Sequence, residues 1–252
     1  VVEARRDEDG LDDSQRGVLF PQDLIVRDAR GESEPVWPVI SSDLIPPRLA
    51  DLGRRCGLSD LELAVVLITV APAIQPRFEQ FYIVLNNEVE SRGPSVATAL
   101  RLAGRSPADP EARALFRSDR RLLSWGLLQV TALSRTLMTQ VLTAPERTVS
   151  FLLGDDEPDP TAVRSLRVLT DPLVPAALLP AVEFDITAGP VLRGRSGSAA
   201  AQHALSAARR AGFAGIALLP GDRVPAETSA VDLQLRTCIR EAALQDLVLV
   251  VD

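Results

Sequence analysis

Lysine is absent from the 252-residue chain, and all 27 of its basic residues are arginines. The two cysteines, Cys56 and Cys238, lie far apart and form no C-x-x-C pair, which argues against a zinc site and against a disulfide framework. The longest apolar run, residues 61–74, contains Glu62 and Pro72 and is too short to cross a bilayer. The acidic, charged start shows no signal peptide. The composition therefore predicts a cytoplasmic chain without a membrane partner.

An excess of positive charge is also missing. The net charge is −7 and the isoelectric point is about 4.9, which argues against a nucleic-acid partner because such a surface needs clustered basic residues. The single histidine, His203, leaves no convincing Ser–His–acid set. With 46% hydrophobic residues, the chain can bury a sizeable core and has room for one to two domains.

The last third of the chain carries the most informative motif. A short apolar run at residues 190–192 precedes a glycine turn, and an alanine-rich helical pattern follows at residues 199–211. Strand, glycine turn and helix are the layout of a phosphate-binding loop, in which backbone N–H groups hold an anion. The candidate anion-binding positions in this turn are Gly194, Gly197, Ser198, Ala199, Ala200 and Ala201.

The residues needed for triphosphate chemistry are missing from this turn. In the pattern G-x-x-x-x-G-K-[ST] beginning at Gly194, the second glycine falls on Ala199, the lysine on Ala200 and the hydroxyl residue on Ala201. No ammonium is present for the β- and γ-phosphates, and no hydroxyl is present for Mg²⁺. We therefore expect no cofactor on this chain, at best weak binding of ATP and Mg²⁺, and no ATP hydrolysis by the chain alone.

The rest of this third is predicted to form an α/β layer. Residues 215–219 indicate a strand, residues 230–244 a helix, and residues 246–252 a second buried strand that closes on Asp252. An aliphatic run ending on aspartate looks like a Walker B strand, in which Asp252 would contact Mg²⁺. Strands alternating with helices imply right-handed crossovers and a parallel sheet. The chain begins with Val1 and stops at this aspartate, so we expect it to be part of a longer protein.

The first two thirds indicate a bundle of short helices. Ser59 and Glu62 form a capping-box pattern before an apolar helix that Pro72 is expected to break. A second helix is expected from Pro76, and a third amphipathic helix over residues 96–102. Three short helices with tight links predict a helix-turn-helix bundle.

A hairpin is predicted to follow these helices. A brief helix at residues 112–116 precedes two β-type runs, at residues 122–130 and 136–142, which are rich in Leu, Val and Thr. A closing helix at residues 145–153 is expected to end at Gly154. A hairpin after three helices is a winged-helix arrangement.

Five short segments in this region form an ordered series: Cys56-Gly57-Leu58-Ser59-Asp60-Leu61-Glu62, Ala71-Pro72-Ala73-Ile74-Gln75-Pro76-Arg77-Phe78, Pro94-Ser95-Val96, Arg121-Leu122-Leu123 and Val149-Ser150-Phe151-Leu152-Leu153-Gly154. The series resembles the N-terminal winged-helix domain of bacterial AAA-type ATPases, including those encoded with contractile injection systems. Residues 190–252 are similar to a first AAA module. The resemblance implies an α+β fold, in which a helical winged-helix domain precedes a partial, three-layer α/β P-loop-like module with a parallel sheet.

The predicted domain boundaries follow from these segments. Residues 1–45 are expected to be an N-terminal arm, partly irregular, and residues 46–154 the winged-helix domain. Residues 155–189 are expected to be an acidic, proline-rich linker, with one short helix near residues 162–169. Residues 190–252 would be the degenerate P-loop module, truncated at its Walker B-like strand.

The resemblance also implies a function. The chain would be the N-terminal region of an AAA-type ATPase, acting as a protein-binding adaptor and a non-catalytic AAA tier for ATP-driven remodelling of a protein assembly. Its partners would be proteins, and the full-length parent, with a later intact ATPase module, would form a homo-oligomeric ring. The alternative is a winged-helix DNA-binding regulator. Its third helix offers only Arg101 and Arg105 as bases, so binding of nucleic acid is not expected.

Overall fold

The computed structural model describes residues 46–88, 91–131, 136–171, 197–225 and 227–251. A first group of elements, called the helical unit, consists of α1 Pro47–Cys56, α2 Asp60–Ile74, α3 Arg77–Asn86, α4 Val96–Leu102, α5 Pro110–Ala114, α6 Arg121–Ser124, β1 Gln129–Thr131, β2 Val141–Thr143 and α7 Glu146–Leu153. A second group, called the α/β unit, consists of α8 Pro160–Ser165, β3 Arg167–Leu169, α9 Gly197–Arg210, β4 Gly215–Leu219, α10 Thr228–Leu244 and β5 Leu247–Val251. Within these ranges, no helix has the length and apolar character needed to cross a membrane.

Local sequence signals set the ends of the first two helices. Pro47 occupies the first turn of α1, where its missing N–H costs nothing, and Gly57 ends that helix with a left-handed φ of 59°. The Ser59 hydroxyl accepts a hydrogen bond from the Glu62 N–H (3.3 Å), and the Glu62 carboxylate accepts one from the Ser59 N–H (2.8 Å). The predicted capping box at the start of α2 is therefore confirmed.

Replacing Ser59 with alanine is expected to lower the free energy of unfolding by about 1 kcal/mol, because the Glu62 N–H loses its partner. Urea denaturation followed by circular dichroism measures this loss. Ser118→Ala, which removes the hydroxyl of an exposed serine, is the control and should stay within about 0.5 kcal/mol of wild type. Equal effects of the two substitutions would mean that the cap contributes nothing.

The prediction that Pro72 breaks α2 is wrong. The helix continues through Pro72 and ends at Ile74. A proline inside a helix leaves the carbonyl four residues earlier without its amide partner, and here that carbonyl belongs to Ile68. The hydroxyl of Tyr82 in α3 donates to the Ile68 carbonyl at 2.6 Å. This tertiary hydrogen bond replaces the one that the proline removes.

The predicted hairpin is present but much shorter than expected. Strands β1 and β2 pair antiparallel over three residues each, with Gln129 opposite Thr143. The start of the first β-type run forms α6 instead, and residues Leu137–Thr139 of the second form a 3₁₀ turn. Leu122, Leu127 and Leu128 are all buried, and a short buried apolar run has the same pattern in a helix as in a strand. The closing helix α7 ends at Gly154 as predicted.

The core of the helical unit includes one residue from outside it. Its buried members include Leu49, Leu52, Val65, Leu100 and Phe151. Leu244, at the carboxyl end of α10, belongs to the same cluster and is only 1% exposed. The core of the helical unit is thus completed by a helix that belongs to the α/β unit.

The α/β unit has three layers. Its sheet has the order β3-β4-β5, with β3 antiparallel to β4 and β4 parallel to β5. On one face α9 packs against Ile216, Val248 and Val250. On the other face residues of α8 and α10 pack against Ala217 and Leu219. This alternation follows from the pleat of the strands, which sends successive side chains to opposite faces. The short helix expected near residues 162–169 is present as α8, but it ends at Ser165, and the residues after it form β3. These residues of the predicted linker therefore belong to the α/β unit.

Candidate functional site

The structure places only part of the predicted phosphate-binding turn. Gly194, at its start, and Asp252, the predicted Mg²⁺ contact, lie outside the described residues. Gly197, Ser198, Ala199, Ala200 and Ala201 form the first turn of α9 and the residue after it.

The position that would hold the hydroxyl residue faces an apolar environment. Ala201 is 6% exposed and belongs to the cluster between α9 and the sheet, whose members include Leu205 and Ile216. Ala200, where the lysine would stand, is half-buried. The Ala201 side chain therefore packs toward the sheet, and the predicted anion binding by this turn stays a prediction.

Helix α4 corresponds to the predicted third helix of the bundle, which would read DNA in a winged-helix regulator. It has only seven residues, and Val96, Thr98, Ala99 and Leu100 are buried. The positions left for contact with a ligand are few, and Arg101 supplies the one exposed basic side chain in the helix.

The amino end of α4 is bonded to the chain itself. The Val96 N–H donates to the Gln140 carbonyl at 2.9 Å, the Thr98 N–H donates to the Ser95 hydroxyl at 3.1 Å, and the Thr98 hydroxyl donates to Asn86 Oδ1 at 2.7 Å. In helix-turn-helix proteins the amino-terminal residues of the recognition helix contact base edges. Here that end is tied to α3 and to the segment before β2.

The second base predicted for this helix is already paired. Arg105 Nε donates to Asp109 Oδ2 at 2.9 Å. This hydrogen bond from Arg105, together with the Glu111 and Ala112 amides, holds the pKa of Asp109 below its usual value. Asp109 is also the N-cap of α5. The Arg105 side chain is therefore directed along the surface toward α5.

The densest set of buried charges lies where α10 meets the helical unit. Arg147 of α7 and Glu241 of α10 form a bidentate ion pair, with Nε–Oε2 and Nη2–Oε1 distances of 3.0 and 3.1 Å. Their side chains are 7% and 4% exposed. Glu241 also accepts from the Asp159 N–H at 3.2 Å, and Arg147 donates to the Asp155 carbonyl at 2.9 Å. Both charges are thus hydrogen-bonded on more than one side, as buried charges require.

Further arginines join the two units around this pair. Arg236 and Arg240, one turn apart on α10, donate to the carbonyls of Leu123 and Gly126 at 3.0 and 3.2 Å. Arg240 also pairs with Asp159 at 3.0 Å. We call these groups, with Arg147, Glu241 and Leu244, the α10 junction. The junction fixes the orientation of the α/β unit on the helical unit.

Sequence reasoning missed the α10 junction, because its partners are far apart along the chain. Arg147 and Glu241 are separated by 94 positions, and no local pattern links them. Arg236, Arg240 and Glu241 lie between the apolar positions of α10, and such charges are ordinarily on the solvent face of an amphipathic helix. The sequence pattern therefore gave no signal that they are buried.

Both cysteines are buried and form no disulfide. Cys56 lies in the core of the helical unit, and Cys238 lies between α10 and the sheet. Burial raises the pKa of the Cys56 thiol from 9.0 to about 12 and also raises that of Cys238. These thiols are packing residues, since a reactive cysteine needs a lowered pKa and access to solvent.

The raised pKa of Cys56 predicts a loss of stability in alkaline solution. A thiol whose folded-state pKa lies above its unfolded-state value stabilises the fold fully below that unfolded value, and this contribution is lost as the pH rises through the folded-state pKa. The window therefore runs from about pH 9 toward pH 12. Between pH 8 and pH 10, wild type should lose about 1.4 kcal/mol more of its unfolding free energy than Cys56→Ala does. Urea denaturation at the two pH values tests this, and equal losses would contradict it.

Comparison with known proteins identifies the helical unit. The family model described as "Winged helix domain, variant" matches residues 40–166, which is half of the chain. The chain belongs to this winged helix family. No curated protein and no solved structure matches it.

The matched span of the winged helix covers α1 to α8 and the hairpin, including Arg147 and Asp159. The winged-helix prediction is thereby confirmed. Helix α10, which completes the core of the winged helix, lies outside the matched span. The AAA part of the resemblance and the link with contractile injection systems stay predictions.

Proposed function

We propose that the chain is a protein-binding adaptor in which a winged helix is fixed to a non-catalytic, P-loop-like tier. The parent would be an AAA-type ATPase that remodels a protein assembly in the cytoplasm and packs its α/β units into a homo-oligomeric ring. The observation that carries the adaptor role is the burial of α4, the helix that a DNA-binding winged helix presents to the major groove.

Charge supports the choice of a protein partner over DNA. A surface that neutralises phosphates needs several Lys or Arg side chains that point outward together. In α4 and the turn after it, Arg101 is exposed, whereas Arg105 is paired with Asp109. The whole chain carries a net charge of −7, which repels a polyanion at long range.

The layer arrangement supports the proposed remnant of a phosphate loop. Helices α9 and α10 cover opposite faces of the sheet, and α10 connects the parallel neighbours β4 and β5. About 98% of such crossovers are right-handed. Helices on both faces of a partly parallel sheet are the layering of a doubly wound α/β module, the class of fold that carries phosphate-binding loops.

The α10 junction supports a role in transmitting force. A winged helix on a flexible tether would bind a partner without fixing the partner's orientation relative to the α/β unit. Here buried charges and Leu244 hold the two units in one orientation. A conformational change in a ring of α/β units would therefore move the bound partner as well.

Binding to duplex DNA tests this proposal against the DNA-regulator alternative. A labelled 20-base-pair duplex is titrated with the chain at about 50 mM salt, where non-specific binders reach dissociation constants of roughly 10⁻⁴ to 10⁻⁶ M or tighter. We expect no saturable change in anisotropy. Salt-dependent binding that Arg101→Glu abolishes and Arg117→Glu preserves would overturn the adaptor role in favour of a DNA regulator. Arg117 is the control because it is an exposed arginine away from α4, with 65% of its side chain accessible.

A further inference from the structure

Helix α3 is held rigidly by one of its faces. The Tyr82 hydroxyl donates to the Ile68 carbonyl at 2.6 Å. Asn86 donates to the Gly93 carbonyl at 2.8 Å and accepts from the Thr98 hydroxyl at 2.7 Å. Tyr82 is the buried side chain of the helix. The opposite side of α3 is therefore presented to solvent in a fixed orientation.

That outer side is apolar. Val84 and Leu85 are each 50% exposed, and the exposed Gln80, one turn before Val84, is the polar residue beside them. Phe81 is half-buried and precedes Leu85 by one helical turn. Isolated exposed apolar residues are normal, but a contiguous apolar patch on a rigid helix usually marks an interface.

The two ends of α3 carry opposite charges. The exposed Arg77 begins the helix, and Glu88, whose carboxylate also accepts a hydrogen bond from the Ser91 hydroxyl at 2.6 Å, follows two residues after the helix ends at Asn86. Glu79, in the first turn, is paired with Arg92 at 3.4 Å. Residues 77, 81 and 84 follow a 4-then-3 spacing, which places them along one stripe of a helix. An antiparallel copy of the same helix would place each Arg77 beside the other copy's Glu88 and each Phe81 against the other copy's Val84.

We propose that this face of α3 binds a second copy of the chain through a two-fold, antiparallel α3–α3 contact. Such an isologous contact needs a surface that is complementary to itself, and the order basic, apolar, acidic along α3 has this property when one copy is reversed. The antiparallel arrangement also aligns the helix dipoles favourably. The inference is independent of the proposed function, since it uses neither the glycine turn nor the α10 junction.

The experiment is sedimentation equilibrium of the whole chain over a range of concentrations. Wild type is expected to reach twice its monomer mass of 27.1 kDa. Val84→Asp should weaken dimerisation more than about a hundredfold, because each copy would bury a carboxylate in the apolar contact. Leu153→Asp is the matched control, since Leu153 is 64% exposed on α7; this variant should dimerise like wild type. Circular dichroism of each variant shows that its fold is retained.

Charge reversal tests the antiparallel order itself. Arg77→Glu and Glu88→Arg should each weaken dimerisation, and the double variant should restore it, because the opposite charges then meet again. A monomeric wild type at all concentrations would overturn the proposal, and so would a dimer that Val84→Asp leaves intact. A dimer that Val84→Asp dissociates but that the double charge reversal does not restore would overturn the antiparallel geometry.

Discussion

Replacing Glu241 with alanine is expected to lower the free energy of unfolding by about 3–5 kcal/mol, because the substitution leaves the Arg147 guanidinium buried without its counter-charge. The Asp159 N–H loses its acceptor at the same time. Urea denaturation monitored by circular dichroism measures the effect. A loss of this size is a large part of the stability of an ordinary domain.

Two further variants identify the cause of that loss. Asp232→Ala on the same helix removes an ion pair whose carboxylate side chain is 64% exposed, and it should change stability by no more than about 1 kcal/mol. The double variant Arg147→Met/Glu241→Leu should recover most of the stability, since it removes both buried charges and keeps their volume. If Glu241→Ala costs no more than Asp232→Ala does, the buried pair does not join the two units.

Replacing Leu244 with alanine is expected to cost about 2–5 kcal/mol, because it opens a cavity in the core of the winged helix. Leu244 is 1% exposed and lies in the same cluster as Leu52 and Phe151, although it belongs to α10. Thermal or urea unfolding of the variant should remain a single transition, since the two units share this core.

Leu233→Ala is the matched control for this prediction. Leu233 lies on the same helix and is 64% exposed, so its truncation should cost less than about 0.5 kcal/mol. A second, separate unfolding transition in Leu244→Ala, with the α/β unit melting away from an intact winged helix, would contradict a shared core.

Local signals were sufficient for much of the fold. The Ser59–Glu62 capping box, the Gly154 stop after α7 and the strand at Gly215–Leu219 all follow from residues close together in sequence. The winged helix is predictable for the same reason. Each of its helices and its hairpin has a signal within a short segment, and the order of these segments gives the order of the elements.

The errors arose where distant residues decide the structure. Helix α2 passes Pro72 because Tyr82, ten residues later, donates to the carbonyl that the proline leaves vacant. Strand β3 has only three residues, too few to show the alternation of apolar and polar residues that is typical of a strand. It forms because it pairs with the neighbouring strand β4. The α10 junction depends on contacts between segments about 80 to 115 residues apart, which one sequence does not reveal.

The candidate site was predicted only in part. The sequence correctly indicated a helix after the glycine turn, and α9 spans Gly197–Arg210. The burial of Ala201 against the sheet follows from its neighbours Leu205 and Ile216 and was not foreseen. The burial of most α4 side chains was also not foreseen. A seven-residue amphipathic pattern shows one apolar face, but it does not show whether other parts of the chain bury the remaining faces.

Calorimetric titration of the chain with ATP and Mg²⁺ tests the proposed role of the α/β unit most directly. We expect no binding in the micromolar range, because Ala200 and Ala201 stand where a lysine and a hydroxyl residue are required. Each missing charge-assisted contact costs about 1.5–3 kcal/mol. Saturable binding of one ATP per chain at micromolar concentration would contradict the account, since a tier without phosphate ligands could not hold the nucleotide that tightly.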